Sequence, residues 1–197
     1  MYASRKSVLA AIRRKSHQEP DFDKSIFHAL QVGRWHKDPL RFVPFLPKAW
    51  ARKLEAQVTR FLDFRPSSIP GAGMGVFAST DLPAGFRIPY IGVVYPSYDD
   101  YGGSDKYSMC DGHAGVIDGH PSRTVRKLNY APRINEPPAA TNDEREAAAN
   151  MHIQHEEEGP WSPLTPTVLC TRRPIPAGEE LLLYYGDAYE RDWACTP

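Results

Sequence analysis

N-Y-A-P-R-I-N-E-P at residues 129–137 and L-L-L-Y-Y-G at residues 181–186 are the segments that decide the predicted fold. In the first, Asn135 lies between the apolar Ile134 and a proline-rich bend. In the second, an apolar run ends in Tyr185, and Gly186 follows at once. Such a run is typical of a buried strand whose end delivers a phenol to a site, where glycine lets the backbone turn or approach a ligand. Asn135 and Tyr185 are therefore candidate site residues.

The composition favours a mostly β fold with a few helices. The chain has 197 residues, 41% of them hydrophobic, which suffices for one full domain with an extension. Its 19 prolines lie mainly between apolar runs. Proline in such positions argues against a helical bundle and favours short strands with irregular connections.

Charge divides the chain into two parts. Residues 1–65 contain 14 Lys and Arg against 6 Asp and Glu, a net charge of +8, whereas the remaining residues contain 10 against 18, a net charge of −8. We predict a basic, partly helical N-terminal extension over 1–65, a main domain over 66–193 and a tail over 194–197. A basic arm suits phosphate or an acidic partner, and an acidic domain suits a cationic substrate. Attraction between the two halves explains the same pattern equally well.

Cysteine usage and hydropathy bear on the compartment. Cys110, Cys170 and Cys195 form no C-x-x-C pair, so neither a zinc cluster nor a disulfide framework is indicated, and a reducing intracellular compartment is expected. We expect the nucleus or the cytoplasm. The first 18 residues carry five basic residues and no acid, which leaves organelle import open beside a solvated helix start. No apolar run approaches the ~20 residues of a membrane span, so no membrane partner is expected.

Periodicity predicts where the helices and strands lie. Apolar residues at spacings of three and four predict a helix over 48–63 that packs on the main domain, with Pro66 beyond its end. Residues 20–47 are interrupted by proline and glycine, and we expect them to wrap over the domain. Strands are predicted over 76–78, over 87–95 with a bulge at Gly92, and over 107–110, 116–118, 151–155 and 167–171, and a short helix over 144–149.

Short motifs follow one another in a distinctive order. G-A-G-M-G-V-F-A at 71–78 is a weak signal alone, because it opens no helix and a tight turn explains it equally. The motifs that follow are D-L-P-A-G at 81–85, Y-I-G at 90–92, I-D-G at 117–119, A-P-R-I-N at 131–135 and G-E-E-L-L-L-Y-Y-G at 178–186. In this order they resemble the SET-domain family of protein lysine methyltransferases over residues 68–193. The resemblance is strongest to compact members that lack a zinc-binding C-terminal tail.

The resemblance implies a β-clip, pseudoknotted fold in which the C-terminal segment passes under the loop around Asn135. It implies S-adenosylmethionine as cofactor, no metal, and methylation of a lysine in a protein or peptide, with a histone tail among the candidate substrates. Tyr185 and Tyr107 are the expected catalytic and lysine-channel residues. Glu136 stands where the family has His. The implied cofactor-binding residues are Met74, Gly75, Arg133, Asn135, Glu136, Tyr189 and Trp193.

The chemistry of methyl transfer agrees with this residue set. A methyl group on a sulfonium is already electrophilic, so the site needs orientation and a neutral amine and no metal. Free lysine has a pKa of about 10.4, and an apolar, aromatic channel beside a sulfonium lowers it by desolvation and charge repulsion. His152 and His155 alternate along a predicted strand, which places them on opposite faces and argues against a metal site. Glu179, Glu180 and Asp118 are expected to hold backbone amides.

Two other functions stay open. Glu136 and P-Y-I-G-V at 89–93 replace residues that the family usually carries, and this is compatible with a SET-like binding module that lacks catalysis. The basic arm over 1–65 is compatible with a chromatin or nucleic-acid adaptor, whose affinity for DNA would fall steeply with salt.

Overall fold

The computed structural model describes residues 33–37, 40–44, 48–103, 107–110, 115–120, 130–154, 167–189 and 191. The predicted basic helix near the N-terminus lies outside these residues. In chain order the elements are β1 (Gly33–Lys37), β2 (Leu40–Pro44), α1 (Lys48–Phe61), β3 (Leu62–Pro66), β4 (Met74–Ala78), β5 (Arg87–Pro89), β6 (Val93–Tyr95), a 3-10 turn (Tyr98–Asp100), β7 (Ser108–Cys110), β8 (Val116–Asp118), a 3-10 turn (Ala131–Arg133), α2 (Asn142–Ala148), β9 (Met151–Gln154) and β10 (Val168–Thr171).

The strands form small antiparallel sheets, which confirms the prediction of a mostly β fold with a few helices. A five-stranded sheet has the order β1-β2-β6-β8-β7, a three-stranded sheet has the order β5-β10-β9, and β3 pairs with β4 alone. No helix in the described part of the chain is both long enough and apolar enough to cross a bilayer.

Helix α1 packs on the main hydrophobic core. Leu54 and Val58 lie one turn apart on the same face and are buried together with Val76 of β4. The helix ends at Phe61, two residues earlier than predicted, and the chain enters β3 without a loop. Strand β3 therefore crosses the predicted boundary at residue 65.

A glycine loop joins β3 to β4. Gly71 and Gly73 have φ angles of +80° and +75°, a backbone region that favours glycine, and an added Cβ would meet no atom within 4 Å at either residue. The loop is closed by a hydrogen bond of 2.8 Å from the Ser67 amide to the Gly73 carbonyl. These glycines are needed for the turn itself, as the sequence suggested.

The five-stranded sheet includes a hairpin that the sequence did not predict, and the expectation of a single strand over 87–95 was wrong. Part of the stretch expected to wrap over the domain forms the hairpin β1-β2, whose second strand pairs with β6 through Phe42 and Val94. The single strand expected over 87–95 is split into β5 and β6, which belong to different sheets. Gly92 lies between these two strands and packs closely on β8, the antiparallel neighbour of β6, since a Cβ there would come within 2.5 Å of Ile117 Cγ2 and 2.8 Å of the Asp118 carbonyl oxygen.

The three-stranded sheet agrees better with the sequence. Strands β9 and β10 lie where the alternation predicted them, and they pair through Ile153 and Leu169. Two turns have similar sequences, L-P-A-G at 82–85 and I-P-A-G at 175–178. They lie side by side, because Leu82 and Ile175 exchange backbone hydrogen bonds of 2.8 and 2.9 Å. Their likeness in sequence thus reflects a local pairing within the fold.

Helix α2 begins at Asn142, two residues before the predicted start at residue 144, and a capping box closes its N-terminus. The Thr141 hydroxyl accepts from the Glu144 amide at 3.3 Å, and the Glu144 carboxylate accepts from the Thr141 amide at 3.1 Å. The pattern T-x-x-E was present in the sequence.

The C-terminal apolar run makes single bridges instead of the strand that was expected. Leu182 bridges Asn135 in parallel, Leu183 bridges Met151 in parallel, and Glu180 bridges Phe77 antiparallel. The segment therefore runs between the Asn135 loop, β9 and β4. This placement brings three regions that lie far apart in sequence into one site.

Candidate active site

The carboxylate of Glu180 joins the glycine loop to the Asn135 loop. Glu180 is only 6% exposed. Its Oε1 accepts from the Ser67 hydroxyl at 2.7 Å and from Asn135 Nδ2 at 3.1 Å. Its Oε2 accepts from the Ser68 amide at 2.8 Å and from the Ser68 hydroxyl at 2.6 Å. The expectation that this glutamate holds a backbone amide is confirmed.

Glu180 also explains why residue 75 is glycine. A Cβ on Gly75 would overlap Glu180 Oε1 and would lie 2.9 Å from Glu180 Cδ and 3.2 Å from Asn135 Nδ2. Unlike Gly71 and Gly73, Gly75 has no positive φ angle. The glycine at 75 is therefore required by the packing of a carboxylate against the loop.

The pKa of Glu180 reflects these contacts. Burial alone would raise it, but the hydrogen bonds from Ser68, Ser67 and Asn135 together hold the pKa below its usual range. The group is thus held as a carboxylate that is saturated with donors.

Asn135 lies directly against the glycine loop. Its Nδ2 donates to the Met74 carbonyl at 3.1 Å as well as to Glu180. Its backbone carbonyl accepts from the Leu183 amide at 2.9 Å. Met74 is 41% exposed, whereas Gly75 beside it is buried, so the loop presents an open edge next to the Asn135 amide.

Tyr185 is held at both ends against residues 134–136. Its phenol donates to the Ile134 carbonyl at 2.8 Å, and its amide donates to Glu136 Oε1 at 2.9 Å. Its ring packs edge-on against Tyr189 with centroids 4.9 Å apart. Burial raises the pKa of Tyr185 well above its usual value, and Tyr189, Glu136 and Tyr107 add to the rise. The phenol is therefore a neutral hydrogen-bonding group at neutral pH.

Tyr107 approaches the same region in an unusual conformation. Its φ angle is +75°, which is uncommon for a residue with a side chain. Its carbonyl accepts from the Tyr90 phenol at 2.7 Å and from the Gly119 amide at 2.8 Å, and its ring packs edge-on against His120. Burial, followed by Tyr185 and Asp118, raises the pKa of Tyr90. Asp118 itself accepts from the His120 amide at 2.9 Å, as expected.

Glu136 lies in a buried ion-pair cluster. Its side chain accepts from Arg191 Nε and Nη2, both at 2.7 Å, and Arg145 Nε lies 3.8 Å from Glu136 Oε2. Glu136 is 7% exposed. The residue that departs from the family's His thus has its own charged partners.

The other predicted site residues lie elsewhere or outside the described chain. The Arg133 guanidinium stacks over the Phe64 ring, 4.6 Å from its centroid. Trp193 and His155 lie outside the described residues, and His152 lies on β9. Seven predicted site residues lie around the bridged C-terminal segment. They are Met74, Gly75, Tyr107, Asn135, Glu136, Tyr185 and Tyr189.

Sequence reasoning missed several residues that build this site. Ser67, Ser68, Tyr90 and Arg191 make direct hydrogen bonds to predicted site residues or to Glu180. Of these, only Tyr90 lay in a motif that had been singled out. Arg191 carried no signal, because it is one arginine in a polar segment.

The family resemblance implies a pseudoknot in which the C-terminal segment passes under the loop around Asn135. The parallel bridges of Leu182 to Asn135 and of Leu183 to Met151 place the C-terminal segment alongside this loop. The chain resembles the SET-domain methyltransferases.

The chain is similar to several solved structures over about two thirds of its length. The chain is similar to KRYPTONITE in complex with mCHG DNA and SAH at 26% identity, with a TM-score of 0.48, over 66% of this chain and 24% of that one. It is similar to the methyltransferase domain of human PR domain-containing protein 2 at 18% identity and a TM-score of 0.45. That match covers 68% of this chain and 82% of that one. It is also similar to ctPRC2 in an autoinhibited conformation bound to S-adenosylmethionine, at 21% identity and a TM-score of 0.45. That match covers 67% of this chain and 16% of that one.

The matches to KRYPTONITE and ctPRC2 leave most of each of those chains outside the aligned part. No family model matches this sequence, and no curated protein matches it.

Proposed function

We propose that this protein transfers a methyl group from S-adenosylmethionine to a lysine side chain of a protein or peptide. The observation that carries the proposal is the convergence of Gly75, Asn135 and Tyr185. The Asn135 amide touches the glycine loop, and the Tyr185 phenol is hydrogen-bonded to the residue before Asn135. These three residues come from parts of the chain that are 50 to 110 residues apart.

The residues present suit the proposed donor. The glycine loop has open space around Gly71 and Gly73, so main-chain groups there can approach a ligand closely. The Asn135 amide lies at the edge of this loop, and Met74 beside it is exposed. We assign Met74, Gly75, Asn135 and the backbone at Glu136 to the donor site. Bound there, S-adenosylmethionine supplies an electrophilic methyl group on a positively charged sulfur.

The aromatic residues suit the acceptor. Tyr185 donates its phenolic proton to the Ile134 carbonyl, so the lone pairs of its oxygen remain able to accept from a lysine nitrogen. Because its pKa is raised, the phenol stays neutral and does not take the proton from the amine. Tyr90 is likewise neutral and holds Tyr107, whose ring we assign to the wall of the lysine channel. The amine loses its proton to solvent, helped by the desolvated surroundings.

Methyl transfer from labelled S-adenosylmethionine to a panel of histones and basic peptides tests the proposal. We expect label on a lysine, localised by mass spectrometry. Tyr185→Phe and Asn135→Ala should each reduce the rate about tenfold or more, because each removes a group that orients a reactant. Tyr98→Phe is the matched control, since Tyr98 is an exposed tyrosine on a 3-10 turn outside the site. Undiminished labelling by both site variants would refute the assignment.

The alternative of a binding module has its own outcome. The Glu136 side chain is committed to Arg191 and to the Tyr185 amide, an arrangement that departs from the family's His. If calorimetry detects no binding of S-adenosylmethionine, the module is favoured over the enzyme. The basic arm over 1–65 remains a separate proposal, tested by DNA binding of the full chain, whose affinity should fall steeply with salt.

A further inference from the structure

Arg191 makes contacts that the proposed catalytic roles do not use. Its guanidinium binds both oxygens of the Glu136 carboxylate in a two-pronged pair, with Nε to Oε2 and Nη2 to Oε1 both at 2.7 Å. This geometry is the strong form of an arginine–carboxylate interaction. The two side chains are 12% and 2% exposed, so water screens the pair little.

The same guanidinium fixes the backbone of the C-terminal segment. Nη1 donates to the Tyr189 carbonyl at 2.8 Å, and Nη2 also donates to the Gly186 carbonyl at 3.0 Å. Gly186, Tyr189 and Arg191 are thereby held together around the guanidinium. Gly186, directly after Tyr185, has a φ angle of +97°, a backbone region that favours glycine.

Glu136 transmits this turn to the proposed site. Its Oε1, already bound by Arg191, accepts from the amide of Tyr185 at 2.9 Å. On the other side of Glu136, the Asn135 carbonyl accepts from the Leu183 amide at 2.9 Å. The ion pair therefore holds the backbone at Tyr185 against the backbone next to Asn135.

We propose that Arg191 is a positioning residue for the donor site, acting through Glu136. The inference rests on the proposed function: the donor would lie against Asn135 and the backbone at Glu136, and the Arg191–Glu136 pair holds that loop in place. Loss of the pair would leave the buried Glu136 beside Arg145, whose Nε lies 3.8 Å away. The loop and the C-terminal turn would then separate, and the donor would bind a site that must first be ordered.

Calorimetric titration with S-adenosylhomocysteine, on the full chain, tests the inference. Arg191→Gln removes the positive charge and the pair of parallel hydrogen bonds to Glu136. We expect the Kd of this variant for S-adenosylhomocysteine to rise about tenfold or more. Arg191→Lys keeps the charge but cannot make the parallel bonds, so a smaller rise of about threefold is expected. The control is Arg172→Gln, which breaks an exposed pair with Glu146 and should leave Kd within about twofold.

Two further readouts separate positioning from general stability. Amide hydrogen exchange at Tyr185 should accelerate in Arg191→Gln, while the amides of Leu169 and Cys170 in the core strand β10 stay protected. In methyl transfer, KM for S-adenosylmethionine should rise more than kcat falls, because the bond from the Tyr185 phenol to Ile134 is left intact. A variant that only lost stability would not show this split.

The outcomes distinguish the two proposals. If the unchanged protein fails to bind S-adenosylhomocysteine, the proposed function falls, and this inference falls with it. If the unchanged protein binds but both Arg191 variants bind equally well, only the inference is overturned. It is also overturned if Tyr185 exchange is unchanged in a folded Arg191→Gln protein. Should Arg191→Gln unfold, the Arg191→Lys result decides by the same criteria.

Discussion

Replacing Gly75 by alanine should disturb the link between the glycine loop and Asn135. The new methyl group would overlap Glu180 Oε1 and come within 2.9 Å of Glu180 Cδ, so the carboxylate must move. Oε1 accepts from the Ser67 hydroxyl and from Asn135 Nδ2, and both bonds would be lost. The Oε2 bonds to Ser68 can persist, because that oxygen lies on the far side of the carboxylate.

The size of the effect follows from these two bonds. A hydrogen bond to a charged acceptor contributes about 1.5–3 kcal/mol, so the loss of two amounts to roughly 3 kcal/mol at the lower end. Alanine restricts the unfolded chain more than glycine does, which offsets about 0.4–1 kcal/mol. We therefore expect Gly75→Ala to lower the free energy of unfolding by about 2–3 kcal/mol. Affinity for S-adenosylhomocysteine should also fall, since the Asn135 amide loses its anchor.

A double-mutant cycle with Glu180→Ala, followed by urea denaturation, isolates the cause. Without the carboxylate there is room for the methyl group, so Gly75→Ala in that background should change the free energy of unfolding by less than about 0.5 kcal/mol. Gly102→Ala is the control, because Gly102 is exposed and has open space around it. Equal destabilisation by Gly75→Ala in both backgrounds would refute the reasoning.

Two further predictions concern stability. The pKa of Glu180 is depressed in the folded protein. The stability that the Glu180 carboxylate contributes is therefore present above its pKa in the unfolded chain, about 4.3, and is lost as the pH falls through its lower pKa in the folded protein. The difference in unfolding free energy between the unchanged protein and Glu180→Gln should accordingly be largest above about pH 5 and shrink below pH 4; a pH-independent difference would contradict this. Thr141→Ala removes the capping box of α2 and should destabilise the protein by about 1 kcal/mol in the same assay, whereas Thr59→Ala, on an exposed helix position, should change stability by less than about 0.5 kcal/mol.

The sequence predicted elements well where the signal was local. Strands β8 to β10 and the glycine turn were placed by alternation and by residues that tolerate positive φ angles. The split of residues 87–95 into two strands was missed, because it depends on which sheet each half joins, and that is decided by the tertiary structure. The hairpin β1-β2 was not predicted, because Gly33 and Pro44 stand at the outer ends of its strands and Pro39 comes just before β2.

The candidate site divides in the same way. The motif order identified Asn135 and Tyr185, and the structure places each in contact with the other's neighbourhood. The sequence indicated that Glu180 would hold a backbone amide, but it identified neither the partners of Glu180 nor any contact of Arg191. These contacts join residues up to 113 positions apart, and such pairs depend on the path of the whole chain.

By itself, the sequence determined which residues could turn sharply, which runs would be buried and which polar groups stood at their ends. These properties depend on each residue and its near neighbours. Only the tertiary structure decided that the Glu180 carboxylate packs against residue 75 and leaves room there for glycine alone, and that Arg191 holds Glu136. Both facts arise from buried charges, which must find partners wherever the folded chain brings donors within reach.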